Sequence, residues 1–265
     1  MNFRVIADEL KKAGFTLRKA NAKIAHDIVL KAIEDAGFHD HVTIKGGVVM
    51  SGMTDAVRRA TIDMDFDFLE YSLGDTSIRR FVQRLNRVSK CEIRIEGEIQ
   101  KLKQRDYKGK RIGLVLTDGD GRSIKTKVDI GVHANKAIEQ VDFRFKVVND
   151  DTNVVLLVNP KEQMFVEKLK TLLRLGIVST RYKDVYDLFY LSERVDTGVL
   201  KEYLRIYIYD DKEMFENNAQ DIENRLMRIF ASKVFLRRLS NPANAWLDET
   251  AENVAHSLID YIREL

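Results

Sequence analysis

A single cysteine, Cys91, in 265 residues excludes an intramolecular disulfide and a four-cysteine zinc site. The chain reads as one suited to a reducing compartment, the cytoplasm. Five histidines without a His-x-x-x-His or comparable spacing offer no zinc motif either. Two prolines and 14 glycines are few for this length, which speaks against an all-β chain of many tight turns and for a predominance of helix. No apolar stretch approaches the roughly 20 residues of a membrane span. The amino terminus, charged from Arg4 onward, lacks the apolar core of a secretory leader. Neither membrane insertion nor secretion is expected. An excess of one charge is missing too: 44 Lys plus Arg against 41 Asp plus Glu leaves +3, so any basic surface must be local. What is present, 45% hydrophobic and 32% charged residues, is the balance of a folded chain with a sizeable core.

The length favours two domains or one large one. Apolar residues recur at helical spacing through Ile24, Ile28, Leu30, Ile33 and Phe38, with Gly14 and Gly37 placed as helix stops, so two helices come first. The period then changes. Val42-Thr43-Ile44 reads as a strand, Lys45-Gly46-Gly47 as a tight turn, Val48 to Met50 as a short helix, and Thr61 to Leu69 as an alternating strand. A helix over Thr76 to Val88 is followed by strands at Glu92 to Glu96, Arg111 to Thr117 and Ile124 to Val132, joined by the turns Lys108-Gly109 and Asp118-Gly119-Asp120-Gly121. A last strand, Val154 to Leu157, ends at Asn159-Pro160, where asparagine is placed to cap a helix and proline to begin it. Everything beyond is helical in pattern. The expected architecture is α/β: a small mixed-sheet unit with N-terminal helices over 1–158, then a helical bundle over 159–265.

Chemistry concentrates in Thr61-Ile62-Asp63-Met64-Asp65-Phe66-Asp67-Phe68. Read as a strand, it puts Asp63, Asp65 and Asp67 on one face and Met64, Phe66 and Phe68 on the other, with same-face neighbours roughly 6.5 to 7 Å apart. Like charges in register repel, and a magnesium ion, which takes oxygen ligands, would turn that repulsion into binding. A second alternating strand places Lys125, Lys127 and Asp129 together. If the two strands are neighbours, Asp129 completes a three-carboxylate set able to bridge two metal ions about 3.5 to 4 Å apart, the arrangement used for in-line phosphoryl transfer. Upstream, Gly46 and Gly47 allow backbone amides to approach a phosphate, and a following helix N-terminus adds partial positive charge.

The order of these parts is specific. Gly46-Gly47, a spacing of sixteen positions from Gly47 to Asp63, and Asp63-x-Asp65 resemble the polymerase-β-like nucleotidyltransferase signature. Within it, KGGVVM followed by RRATIDMDFDF is similar to the AbiEii/AbiGii toxin family, the nucleotidyltransferase toxins of abortive-infection toxin–antitoxin systems. Two downstream blocks agree with that family's EKL and RxKDxxDL elements: Glu167-Lys168-Leu169, and Arg181-Tyr-Lys183-Asp184-Val-Tyr-Asp187-Leu188. The matching blocks span Thr43 to Leu191. Gly47 stands where the wider superfamily often has serine, and Val48-Val49 where Thr-Ala is frequent.

The resemblance implies an enzyme of antiviral defence that moves a nucleoside monophosphate from an NTP to an acceptor hydroxyl. It implies magnesium, with manganese able to substitute, an RNA acceptor such as tRNA, and a cognate antitoxin encoded nearby. On this reading Asp63, Asp65 and Asp129 hold metal, and Asp129 also activates the hydroxyl. Lys45, Gly46 and Gly47 cradle phosphates, Lys168 neutralises the leaving pyrophosphate, and Asp184 and Asp187 orient Lys168 or contact the nucleotide. Physical alternatives stand beside these roles: a solvated lysine face for Lys161, Lys168, Lys170 and Arg174, and an i,i+4 pair between Lys183 and Asp187. Thr180 is placed to cap the helix that carries Asp184. Two other functions use the same groups, a metal-dependent phosphodiesterase or nuclease and a non-catalytic nucleotide-binding module. A polyanionic acceptor would be met by Arg58-Arg59, Arg79-Arg80, Lys101, Lys103, Arg105, Lys108, Lys110, Arg111, Lys125 and Lys127.

Overall fold

Asn2 and Thr16 open the first two helices. Asn2 Oδ1 accepts from the Val5 amide and Thr16 Oγ1 from the Lys19 amide, each satisfying an orphan donor of a first turn. α1 (Phe3–Lys12) and α2 (Leu17–Asp35) follow. α2 buries Ile24, Ala25, Val29, Leu30 and Ile33, more of its circumference than a surface helix would. The structure, a computed structural model, describes residues 1–102, 109–133, 138–148 and 153–265. It divides into two units, Met1–Asn159 and Pro160–Leu265.

The first unit is built on a mixed sheet of seven strands among the described residues: β1 (Val42–Lys45), β2 (Met64–Phe68), β3 (Glu92–Lys101), β4 (Lys110–Thr117), β5 (Ser123–Val132), β6 (Val141–Phe145) and β7 (Val154–Val158). Their order is β3-β4-β5-β2-β1-β7-β6, with β2/β5 and β1/β7 parallel and the other pairs antiparallel. α3 (Gly46–Thr54) joins β1 to the segment before β2, and α4 (Asp75–Val88) joins β2 to β3. Period-two alternation sends Ile44, Met64, Phe66, Phe68, Val128, Ile130, Ile112 and Leu114 into one face, all buried, against which α2 and α4 pack. Phe81 of α4 gathers the aromatic part of that core, its ring centroid 4.7 Å from Phe38, 5.2 Å from Phe68 and 5.7 Å from Phe66. The opposite face carries the polar members of the same strands. The Asp118–Arg122 turn also fastens α1: Asp118 accepts from the amides of Phe3, Asp120 and Arg122.

The second unit is helical: α5 (Lys161–Leu175), α6 (Tyr182–Ser192), α7 (Thr197–Leu204), α8 (Ala219–Phe230), α9 (Lys233–Leu239) and α10 (Ala251–Arg263), with a π turn over Arg205–Tyr209 after α7. Asp196, Asn218, Ser232 and Thr250 cap α7 to α10 through their side chains. Phe165, Leu169, Leu172 and Leu173 of α5 are buried with Val185, Tyr186 and Leu188 of α6. Among the described residues no helix is long and apolar enough to cross a membrane.

Several local expectations need correction. The second strand runs only from Met64 to Phe68, and β3 continues past Glu96 to Lys101 through a bulge at Gly97, φ +74°. β6 is not anticipated by the motif reading. The glycine pair forms no turn: Gly46 and Gly47 are the first two residues of α3. Asn159 does not cap α5. It is fully buried with Thr43 Oγ1 3.5 Å from its Oδ1, and Pro160 occupies the cap position. Thr180 caps nothing either, because α6 begins at Tyr182 with Arg181 as its flanking residue. Lys103, Arg105 and Lys108 lie outside the described residues.

Candidate active site

The register of three strands sets out the acidic groups. β2 and β5 run parallel with Asp65 opposite Asp129, and on the other side Lys45 of β1 is opposite Asp65. The expected neighbour relation between the two acidic strands is therefore present. Asp63 stands one residue before β2 and is exposed, Asp65 is half-buried and Asp67 is buried. The aspartates are thus not three equivalent members of a strand face. Asp67 Oδ1 lies 2.8 Å from Lys45 Nζ, both side chains largely removed from solvent. Lys45, which the resemblance gives to phosphate, makes this pair.

The glycines bring the start of α3 against Asp65. Gly46 has φ +65°, and a Cβ there would fall 3.0 Å from Asp65 Oδ2. A Cβ on Gly47 would fall 2.7 Å from Thr61 Oγ1. A side chain at Gly46 would crowd the Asp65 carboxylate, and one at Gly47 would overlap the Thr61 side chain. With glycines, the partial positive charge of the helix N-terminus and the Asp65 carboxylate stay adjacent.

Arg111 of β4 is the group that the motif reading leaves unassigned within this site. Its Nε donates to Asp129 Oδ1 at 2.6 Å and its Nη2 to Asp129 Oδ2 at 2.7 Å, a bidentate fork. The guanidinium is held protonated above its ordinary range by those hydrogen bonds and charge of Asp129, then by the charges of Asp63 and Asp65. Its contacts are with Asp129 alone, and Asp63 and Asp65 act on it through charge. The signal for it was in the sequence: a hairpin closed by the Asp118–Arg122 turn pairs Thr117 with Ser123, and counting back equally along both strands sets Arg111 opposite Asp129. Asp63, Asp65 and Asp129 supply hard oxygen donors of the kind magnesium takes, and the guanidinium on Asp129 shows that a cation is held at that carboxylate. Among the described residues, no three His, Cys, Asp or Glu side chains already stand grouped to hold a metal ion.

In the second unit, Lys168 Nζ lies 2.7 Å from Asp184 Oδ1 and 2.8 Å from Asp187 Oδ2. The lysine side chain is 10% exposed and that of Asp187 0%. A solvated face is therefore the wrong description of Lys168, and Asp187 pairs with it. Lys170 pairs with Asp211, while Lys161 and Arg174 are exposed. The basic surface also thins on inspection. Arg59 is 4% exposed, Lys110 pairs with Asp75, and Lys125 with Glu96. Arg58, Arg79, Arg80, Lys101 and Lys127 remain exposed, and Arg94 is exposed as well.

Comparison with known proteins agrees with the motifs. The family described as "Nucleotidyl transferase AbiEii toxin, Type IV TA system" matches residues 28–256. No curated protein matches significantly. One solved structure with a similar chain is an antigenic nucleotidyltransferase-like protein from Paracoccidioides brasiliensis, 12% identical, covering 82% of this chain and 91% of that one, with a TM-score of 0.48. With glycine pair, aspartates and downstream lysine all inside a family match that spans most of its length, the chain belongs to the AbiEii family of nucleotidyltransferase toxins of type IV toxin–antitoxin systems.

Proposed function

We propose that this toxin moves a nucleoside monophosphate from an NTP onto a hydroxyl of RNA, tRNA being the expected acceptor, in the cytoplasm, with magnesium held by Asp63, Asp65 and Asp129. The observation that carries the reading is the register of Asp65 against Asp129 beside the glycine start of α3. It joins an acidic group to a run of backbone amides suited to the phosphates. Magnesium, or manganese in its place, would supply Lewis-acid polarisation of the phosphate and a lowered pKa for the attacking hydroxyl.

The residues divide the remaining work. Amides at Gly46 and Gly47 bind the β,γ-phosphates, where a bulkier residue would meet Asp65 or Thr61. The acceptor oxygen attacks the α-phosphorus, its proton passes to the Asp129 carboxylate, and the bond to the β-phosphate oxygen breaks to release pyrophosphate. For Lys168 of the second unit, paired with Asp184 and Asp187, the family resemblance supports a role toward phosphate charge.

The test is incubation with each α-labelled NTP, magnesium and total cellular RNA. Label joined to RNA is the expected result. Cleavage of RNA without any NTP would replace this reading with a phosphodiesterase, and NTP binding with no pyrophosphate released would replace it with a non-catalytic module.

A further inference from the structure

The carboxylate set proposed to hold metal already has a cation. Arg111 engages both oxygens of Asp129, at 2.6 and 2.7 Å, and lies within the field of Asp63 and Asp65. A divalent ion entering among the three carboxylates meets this guanidinium as a like charge, and it competes for the same Asp129 oxygens. The two partners are not equally confined: the Arg111 side chain is 43% exposed and that of Asp129 19%. Solvent is open to the guanidinium, on its flexible stem, and much less so to the carboxylate.

We propose that Arg111 is the resident counter-ion of the carboxylate set, which a divalent ion displaces from Asp129, so that Arg111 sets the metal affinity of the site. The inference rests on the assignment of Asp63, Asp65 and Asp129 as the metal ligands. It makes Arg111 a positioning residue with a definite sign. In the absence of metal it offsets the Asp129 charge and holds that carboxylate in place, and its departure is part of the cost of loading the ion. Had Arg111 instead oriented Asp129 toward a bound metal, in the manner of an outer-shell partner, its removal would loosen the metal.

The sign of the change decides between these. Manganese(II) binding to the full chain is followed by loss of the free-ion EPR signal, with no nucleotide present. R111Q should bind manganese about tenfold tighter than wild type, because a unit charge close to the ion is gone, and R111K, which keeps the charge and loses the fork, should stay within about threefold of wild type. Equal or weaker binding by R111Q overturns the inference while leaving the metal site standing, and no manganese binding by either protein overturns both. If R111Q does not fold, the wild type carries the test through the 15Nε–1H NMR signal of Arg111, identified by its loss in R111K. Magnesium should shift that signal as the bidentate pair opens, and a signal unmoved at saturating magnesium overturns the proposal.

Discussion

Replacing Lys168 with methionine keeps the length of the side chain and removes its charge. The site makes that removal costly. Lys168 is 10% exposed and lies between two carboxylates, Asp184 at 17% and Asp187 at 0%. Taking one partner from a buried pair leaves a charge without compensation, an effect of about 3 to 5 kcal/mol. D184N should cost less, about 1 to 2 kcal/mol, since Asp184 keeps some water and Lys168 keeps Asp187. Removing Lys168 together with the fully buried carboxylate, as in K168M D187L, leaves only Asp184, which keeps some water and Arg181 at 3.8 Å, so the double variant should be more stable than the sum of its singles by roughly 1 to 3 kcal/mol. Urea unfolding read by Trp246 measures this directly, because the single tryptophan of the chain is buried within the same unit. A loss below about 1 kcal/mol in K168M would place the triad with exposed ion pairs and refute the reasoning. The consequence for function is that lost transfer in K168M says nothing of catalysis unless it is measured well below the unfolding midpoint. K168R, folded and charged, is the cleaner probe: a fall in kcat with KM unchanged is expected of a group that acts on the leaving pyrophosphate.

D63A and D65N should abolish label transfer with little change in melting temperature, because Asp63 is exposed, Asp65 half-buried, and Arg111 keeps its fork to Asp129; D67A should instead melt lower, since it takes from Lys45 a buried partner. His26, pushed down to about 4 by burial, opposed by its hydrogen bond to the Ile62 carbonyl and aided by the Lys23 charge, is neutral when folded and takes up a proton more readily when unfolded. Stability should therefore be unaffected by this group above pH ~6.5 and fall by about 3 kcal/mol as the pH drops to ~4, and H26Q should flatten that slope in denaturation curves taken across the window. RNA binding should weaken steeply with salt, and changing the exposed Arg94 and Lys127 to alanine should reduce the slope of log affinity against log salt by about 0.7 for each phosphate that is no longer neutralised; a flat salt dependence would remove RNA as the acceptor.

Most of the fold was legible because its elements carry local signals. The stop at Gly37 is one: the residue takes φ +70°, and the Phe38 amide reaches back to the Ile33 carbonyl in the hydrogen bond that closes α2. Elements whose extent depends on partners were not legible. The alternation of β2 continues upstream through Thr61 and Asp63, yet its ladder to β1 ends at the Lys45–Asp65 pair, because the chain turns into α3 at Gly46. β6 is five residues long and, among the described residues, pairs with β7 alone, so its Val-Asp-Phe-Arg-Phe alternation is too brief to stand out without that partner. Asn159 has the composition of a cap, but packing against Thr43 buries it and overrides the local preference.

The site divides along the same line. Alternation and spacing identify which residues bear charge and which face they share, so Asp65, Asp129 and the glycines could be read directly. They do not identify counter-ions, because Lys45 meets Asp67, Arg111 meets Asp129, and Lys168 meets Asp184 and Asp187 only through strand register or helix packing. That distinction reverses the reading of the basic residues. From sequence they form a broad stripe for a polyanion; in the fold several of them neutralise the acids of their own unit, including the carboxylates assigned to metal. A net charge of +3 is then what results when acidic sites and their internal counter-ions are built together. On the proposed reading, a divalent cation would exchange with Arg111 at Asp129 and a phosphate with the carboxylates around Lys168, and the strength of each pair would set how readily that occurs.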